Sequence, residues 1–133
     1  MRKEGYLFDA SLVLAFLREV EDGREGEARQ FMTQLSPGAR TYLSVVAYAE
    51  ILEQAADIAE LANELRSRFR FQGIGQDVAE RVAVMQTRSP RRMGENDAWI
   101  AATAVKARLI LVGDDDEAFS ERPGLEYLNF RRT

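Results

Sequence analysis

Short apolar runs that stop at a carboxylate alternate along this chain with longer stretches of helical periodicity, and that alternation decides the fold class. "YLFD" closes on Asp9, and "LILVGDDDE" opens directly into Asp114, Asp115, Asp116 and Glu117. "TYLS", "FRFQGI" and "LEYLNF" supply three further strand-like segments. After the first of these runs, Leu12, Phe16 and Val20 recur at helical spacing, with Ser11 as the expected cap. Glu25 to Leu35 reads as a second helix, ended by Pro37-Gly38. "VVAYAEILEQAADIAELANELRSR" reads as one bent helix or two, and Asp77 to about Arg88 as another. "SPRRMG" is a loop, Asn96 the expected cap of "DAWIAATAVKA", and Glu117 to Ser120 a helical turn. Strands separated by helices call for right-handed crossovers and a mostly parallel sheet covered on both faces. The expected architecture is one α/β domain over residues 1–133, a three-layer α/β/α sandwich with four to five strands.

Composition narrows the chemistry. The chain has neither cysteine nor histidine. A disulfide framework, a thiolate zinc site and the histidine-dependent nucleophile systems are therefore excluded. An enzyme built from it must work with carboxylates, hydroxyls, arginine or lysine. No apolar run reaches the ~18–20 residues that span a bilayer, and "MRKEGYLFDA" does not resemble a secretory signal; the expected location is the cytoplasm. The net charge of −4 is unevenly spread. Residues 1–65 carry −6, residues 66–113 carry +5, and residues 114–133 carry −3. The net charge argues against indiscriminate nucleic-acid binding, and a basic middle between acidic ends fits either local contact with phosphate or ordinary variation of a solvated surface.

In an open parallel sheet, sites form beyond the carboxyl ends of the strands. Asp9 ends the first strand, the acidic run ends the fourth, Asp97 falls in the first turn of a helix, and Glu50 follows the uncharged entrance "VVAYA". Each has an ordinary structural use: Asp9 as a helix cap, Asp97 as a complement to a helix dipole, Glu50 on a solvated face. Gathered near one edge of one sheet, they favour a bound cation that keeps them ionised. Oxygen-only donors point to Mg²⁺ or Mn²⁺. Arg88, Arg91 and Arg92 flank the loop before Asp97 and are candidates for phosphate contact. Trp99 and Tyr48 read as core or interface residues.

"YLFDAS", "LSVVAYAEIL", "GENDAWIAATA", "LILVGDDDEAF" and "ERPGLEYLNF" resemble, in order, the successive motifs of PIN domains, most closely the VapC ribonuclease toxins of toxin–antitoxin pairs. The resemblance implies a metal-dependent endoribonuclease acting on RNA phosphodiester bonds, a homodimer, and an antitoxin protein that caps it. It assigns Asp9, Glu50, Asp97 and Asp115 as metal-binding and catalytic acids. Asp114 is a further candidate ligand, and Ser11 with the three arginines could contact substrate. Asp116 and Glu117 are left to complement a helix N-terminus. One position departs from the pattern: Gly113 stands where the fourth motif carries a hydroxyl.

Other carboxylate-bearing α/β families fit less well. "DAS" lacks the second Asp of the haloacid-dehalogenase phosphatases, "FRFQGI" lacks the phospho-acceptor of receiver domains, and "DASLVL" has no glycine-rich dinucleotide turn. The competing reading is a PIN-like module with impaired catalysis that binds RNA or protein, which Gly113 favours and the retained acids oppose.

Overall fold

The computed structural model describes residues 5–132. Five strands form one sheet: β1 (Gly5–Phe8), β2 (Arg40–Ser44), β3 (Arg70–Gln72), β4 (Ile110–Gly113) and β5 (Tyr127–Asn129). Their order is β3-β2-β1-β4-β5, and every neighbouring pair is parallel. β1 is flanked on both sides, in register Leu7 with Tyr42 and with Leu111. Leu7, Phe8, Leu43, Leu111 and Val112 are accordingly fully buried. The edge strands β3 and β5 have three residues each, short enough to limit unwanted pairing.

Seven α-helices connect the strands among the described residues: α1 (Ala10–Glu21), α2 (Glu27–Gln34), α3 (Val45–Leu52), α4 (Ile58–Arg68), α5 (Gln76–Arg88), α6 (Glu95–Ala107) and α7 (Asp116–Phe119). Right-handed crossovers with this strand order carry α1 to α4 over one face and α5 to α7 over the other. The packing of α1 on α2 and α3, and of α5 on α6, follows that division. The result is the three-layer sandwich that the sequence pattern calls for.

Local chemistry explains where the helices stop and start. The long segment after β2 is two helices, because Asp57 leaves helical geometry and its carboxylate accepts the Glu60 N–H at 3.1 Å, capping α4. Two expected caps are displaced. α1 begins at Ala10 with Asp9 in the cap position, so Ser11 lies inside the first turn. α6 begins at Glu95 behind Gly94, so Asn96 also lies inside its helix. In both cases the side chain is taken up by a neighbouring carboxylate instead of the helix end.

α2 is anchored by a carboxylate from another helix. Glu19, 2% exposed, accepts the N–H groups of Ala28 at 3.1 Å and Arg29 at 2.9 Å. Those are orphan donors of the first turn. Gly26 makes room for it, since a Cβ there would come within 2.5 Å of Glu19 Oε2. Trp99 and Tyr48 pack partly buried against the core. No helix among the described residues is long and apolar enough to cross a membrane.

Candidate functional site

The parallel sheet delivers the ends of β1, β2 and β4 to one edge. Asp9 leaves β1 with its N–H bonded to the Val112 carbonyl at 2.8 Å, which fixes it beside β4. Its side chain makes no capping bond and is 8% exposed. Oδ2 accepts from Ser11 Oγ at 2.9 Å. Burial pushes the Asp9 carboxyl up to about 6; the Ser11 hydroxyl opposes this, and the charges of Asp97 and Glu50 add to it.

Asp97 sits in the first turn of α6 and is also raised, first by burial, then by Asp115 and Glu50, with the Arg122 guanidinium acting in the opposite direction. Asp9, Glu50, Asp97 and Asp115 thus lie in one shared electrostatic field at the carboxyl edge. Asp115 caps α7, accepting the Ala118 N–H at 3.1 Å. Glu50 Oε2 accepts from Asn96 Nδ2 at 3.0 Å.

Gly113 gives β4 its close approach to this centre. A Cβ there would stand 3.1 Å from Asp9 Cβ, 3.2 Å from Asp9 Oδ2 and 3.4 Å from Ser11 Oγ. The hydroxyl that bonds Asp9 comes from Ser11, which borders the same gap that the glycine leaves.

The other nominated residues are placed differently. Asp114 forms a salt bridge with Arg131 Nε at 2.9 Å. Asp116 accepts from Tyr127 Oη and Asn129 Nδ2, both at 2.9 Å, and pairs with Arg132 at 2.6 Å. Its carboxyl is lowered by those bonds, Asn129 first and Tyr127 next. Asp116 thus latches α7 to β5, a role beyond complementing a dipole. Arg91 donates to the Glu117 carbonyl and Arg92 pairs with Glu95 at 3.0 Å. Arg88 ends α5 in an exposed position.

Two residues escaped the sequence reading. Asn96 orients Glu50, although its position suggested only a cap. Arg122, 6% exposed, donates Nε to the Ala118 carbonyl at 2.7 Å, Nη2 to that of Glu117 at 3.2 Å, and Nη1 to that of Arg91 at 2.8 Å. It staples the loop before α6 to α7. "ERPG" carries no pattern that announces a buried cation.

The donor chemistry fits a hard divalent cation: carboxylate oxygens, one of them on Asp9, pushed up first by burial and then by the neighbouring acids. Among the described residues, however, no group of three or more acids is gathered closely enough to hold a metal ion.

The chain belongs to the PIN domain family, whose model matches residues 6–125. Solved structures agree on the fold. A toxin–antitoxin complex from Klebsiella pneumoniae is 28% identical, with a TM-score of 0.66, over 91% of this chain and 95% of that one. VapBC2 of Rickettsia felis is 16% identical, with a TM-score of 0.73, over 93% and 97%. VapC20 of Mycobacterium tuberculosis, described as a sarcin-ricin loop cleaving toxin, is 20% identical, with a TM-score of 0.66, over 90% and 100%. No curated protein matches the sequence at a significant level.

Proposed function

We propose that the protein is a Mg²⁺- or Mn²⁺-dependent endoribonuclease, the toxin of a toxin–antitoxin pair. The observation that carries this reading is the placing of buried Asp9 and half-buried Asp97 within reach of the charges of Glu50 and Asp115, at the carboxyl edge of a PIN sheet. Clustered acids of this kind are costly to keep ionised and gain most from a cation. Asp9, Glu50, Asp97 and Asp115 would hold it. When bound, such an ion supplies Lewis acidity and neutralises charge on the phosphodiester.

The chain's own groups prepare that site. Ser11 Oγ fixes the direction of Asp9 Oδ2, and Asn96 Nδ2 fixes Glu50. Arg122 holds the loop before α6 against α7, setting Asp97 and Asp115 in relation to one another. Without a cation the acids repel the scissile phosphate, so its engagement at the acidic edge and its hydrolysis share one cation dependence.

A partner protein fits the surface as well. Val20 on α1 and Ile58 on α4 are 51% and 57% exposed. Val20 lines a hollow between these helices with Leu14, Leu17 and Leu61. An antitoxin segment would cover it, with a homodimer as the assembled toxin in the cytoplasm. The alternative is a PIN module that binds RNA or protein without cutting, which the spacing of the acids favours.

Incubating purified protein with RNA and Mn²⁺, with and without EDTA, separates the readings. Cleavage lost with EDTA and in Asp97→Asn supports the nuclease. RNA left intact while still bound supports the module.

A further inference from the structure

Two of the three arginines that flank the loop before Asp97 are engaged: Arg91 with the Glu117 carbonyl, Arg92 with Glu95. A second concentration of arginine lies at the opposite, amino edge of the sheet. There a hollow of about 470 Å³ is lined by Arg40, Arg68 and Arg70, with Thr41, Ser67 and Gly38 between them. Among the described residues no carboxylate lines it.

Arg40 and Arg70 have no ion-pair partner among the described residues. Arg68 has one, Glu64 at 3.6 Å, with both side chains about half exposed. Such a pair contributes little. A charged residue on an edge strand discourages pairing, which accounts for Arg70 alone. It does not account for three arginines lining one polar hollow in a chain of net charge −4, with Arg68 also lying over the Phe16 ring at 5.9 Å. Like charges gathered in this way repel unless an anion sits among them, and guanidinium forks match phosphate oxygens.

We propose that this hollow binds backbone phosphates of the RNA whose scissile bond lies at the acidic edge. The inference rests on the nuclease reading for its choice of RNA. β2 runs from Arg40 to Ser44, about 13 Å at ~3.3 Å per residue, so a folded RNA reaches both edges of the sheet. The hollow is thus an anchor that positions substrate without reading bases, and it absorbs part of the basic middle of the sequence.

The test measures binding of a labelled RNA hairpin to full-length protein by fluorescence anisotropy in EDTA, over a range of salt, and cleavage of the same hairpin in Mn²⁺. The variants are Arg40→Gln/Arg70→Gln and, as a charge-changing control elsewhere, Lys106→Glu. The double variant should bind about tenfold more weakly, and the slope of log affinity against log salt should fall by about 1.5. KM should rise with kcat unchanged, and Lys106→Glu should behave as wild type. Unchanged hairpin binding in the double variant overturns the anchor while leaving the nuclease intact. An equal loss in Lys106→Glu overturns it too, because the effect is then general charge. Binding that depends on Arg40 and Arg70 in a protein that cuts no RNA keeps the anchor and removes the nuclease. If the hairpin does not bind but a polyglutamate peptide binds through Arg40 and Arg70, the site belongs to an acidic protein and the proposal fails.

Discussion

Asn96 donates its side-chain amide to Glu50 Oε2 at 3.0 Å, and this bond ties the first turn of α6 to the second turn of α3 across the carboxyl edge of the sheet. The bond is exposed, so its loss costs stability only about 1 kcal/mol or less. Its value lies in aiming Glu50. Asn96→Ala should therefore melt close to wild type in urea while RNA cleavage falls about tenfold. Asn96→Asp places a like charge against Glu50 and should fall further. Full cleavage by Asn96→Asp would remove Glu50 orientation from the account.

Asp9 supplies a pH signature. Its carboxyl lies at about 6 in the folded protein, against 3.8 for the free group. The native state therefore keeps a proton that the unfolded chain has released between pH ~4 and ~6, and stability from this group falls as pH rises through that window. A shift of this size corresponds to roughly 3 kcal/mol. Asp116 acts in the opposite sense, its lowered carboxyl contributing stability that is lost on acidification. The readout is thus the difference between Asp9→Asn and wild type in cation-free urea melts. That difference should be near zero at pH 4 and grow in favour of the variant up to pH 7. Added Mn²⁺ should stabilise wild type and not the variant; a ligand at a hundredfold its Kd contributes about 2.7 kcal/mol. A difference that stays flat with pH would show that Asp9 is not strained.

Gly113 looks in the sequence like a lost hydroxyl, which suggests that Gly113→Thr would raise activity. The structure reverses the sign. A Cβ at 3.1 Å from Asp9 Cβ and 3.2 Å from Oδ2 must push Asp9 away by a few tenths of an ångström. Gly113→Ala should cost about 1–3 kcal/mol as overpacking and lower cleavage, and Gly113→Thr should lower it further. Higher kcat in Gly113→Thr would show that Asp9 yields and that the hydroxyl is useful.

The fold was legible because period decides it: strands of three to five residues separated by helices admit few arrangements. The acids were legible for the same reason, since strand ends place Asp9 and the acidic run without knowledge of any side chain. What stayed hidden depends on contacts between distant segments. Ser11 and Asn96 looked like caps because a short polar residue before a helix usually is one; only the neighbouring carboxylates of Asp9 and Glu50 redirect them. Arg91 looked free because nothing local shows that the Glu117 carbonyl, 26 residues away, holds it, whereas the pair of Arg92 with Glu95 spans only three residues and was legible. Arg122 was invisible because its partners are backbone carbonyls, one of them 31 residues away.

The acidic run itself divides by direction, since successive side chains leaving a strand diverge. Asp114 and Asp116 turn to the C-terminal arginines, Arg131 and Arg132, while Asp115 caps α7 on the side that faces Asp97. Four adjacent carboxylates are tolerated because three have separate positive or donor partners. This assigns each alanine variant a distinct outcome. Asp116→Ala removes the partner of Tyr127 and of the Asn129 amide, in a residue only 8% exposed, and should lower Tm more than any other change in the run while sparing kcat. Asp114→Ala should lower Tm less, because Arg131 retains Glu27 at 2.9 Å. Asp115→Ala should lose a cap worth about 1 kcal/mol and nearly all RNA cleavage. Melting curves and cleavage rates on the three variants check the assignment together. Cleavage abolished in Asp114→Ala and preserved in Asp115→Ala would move the site acid one residue along the chain.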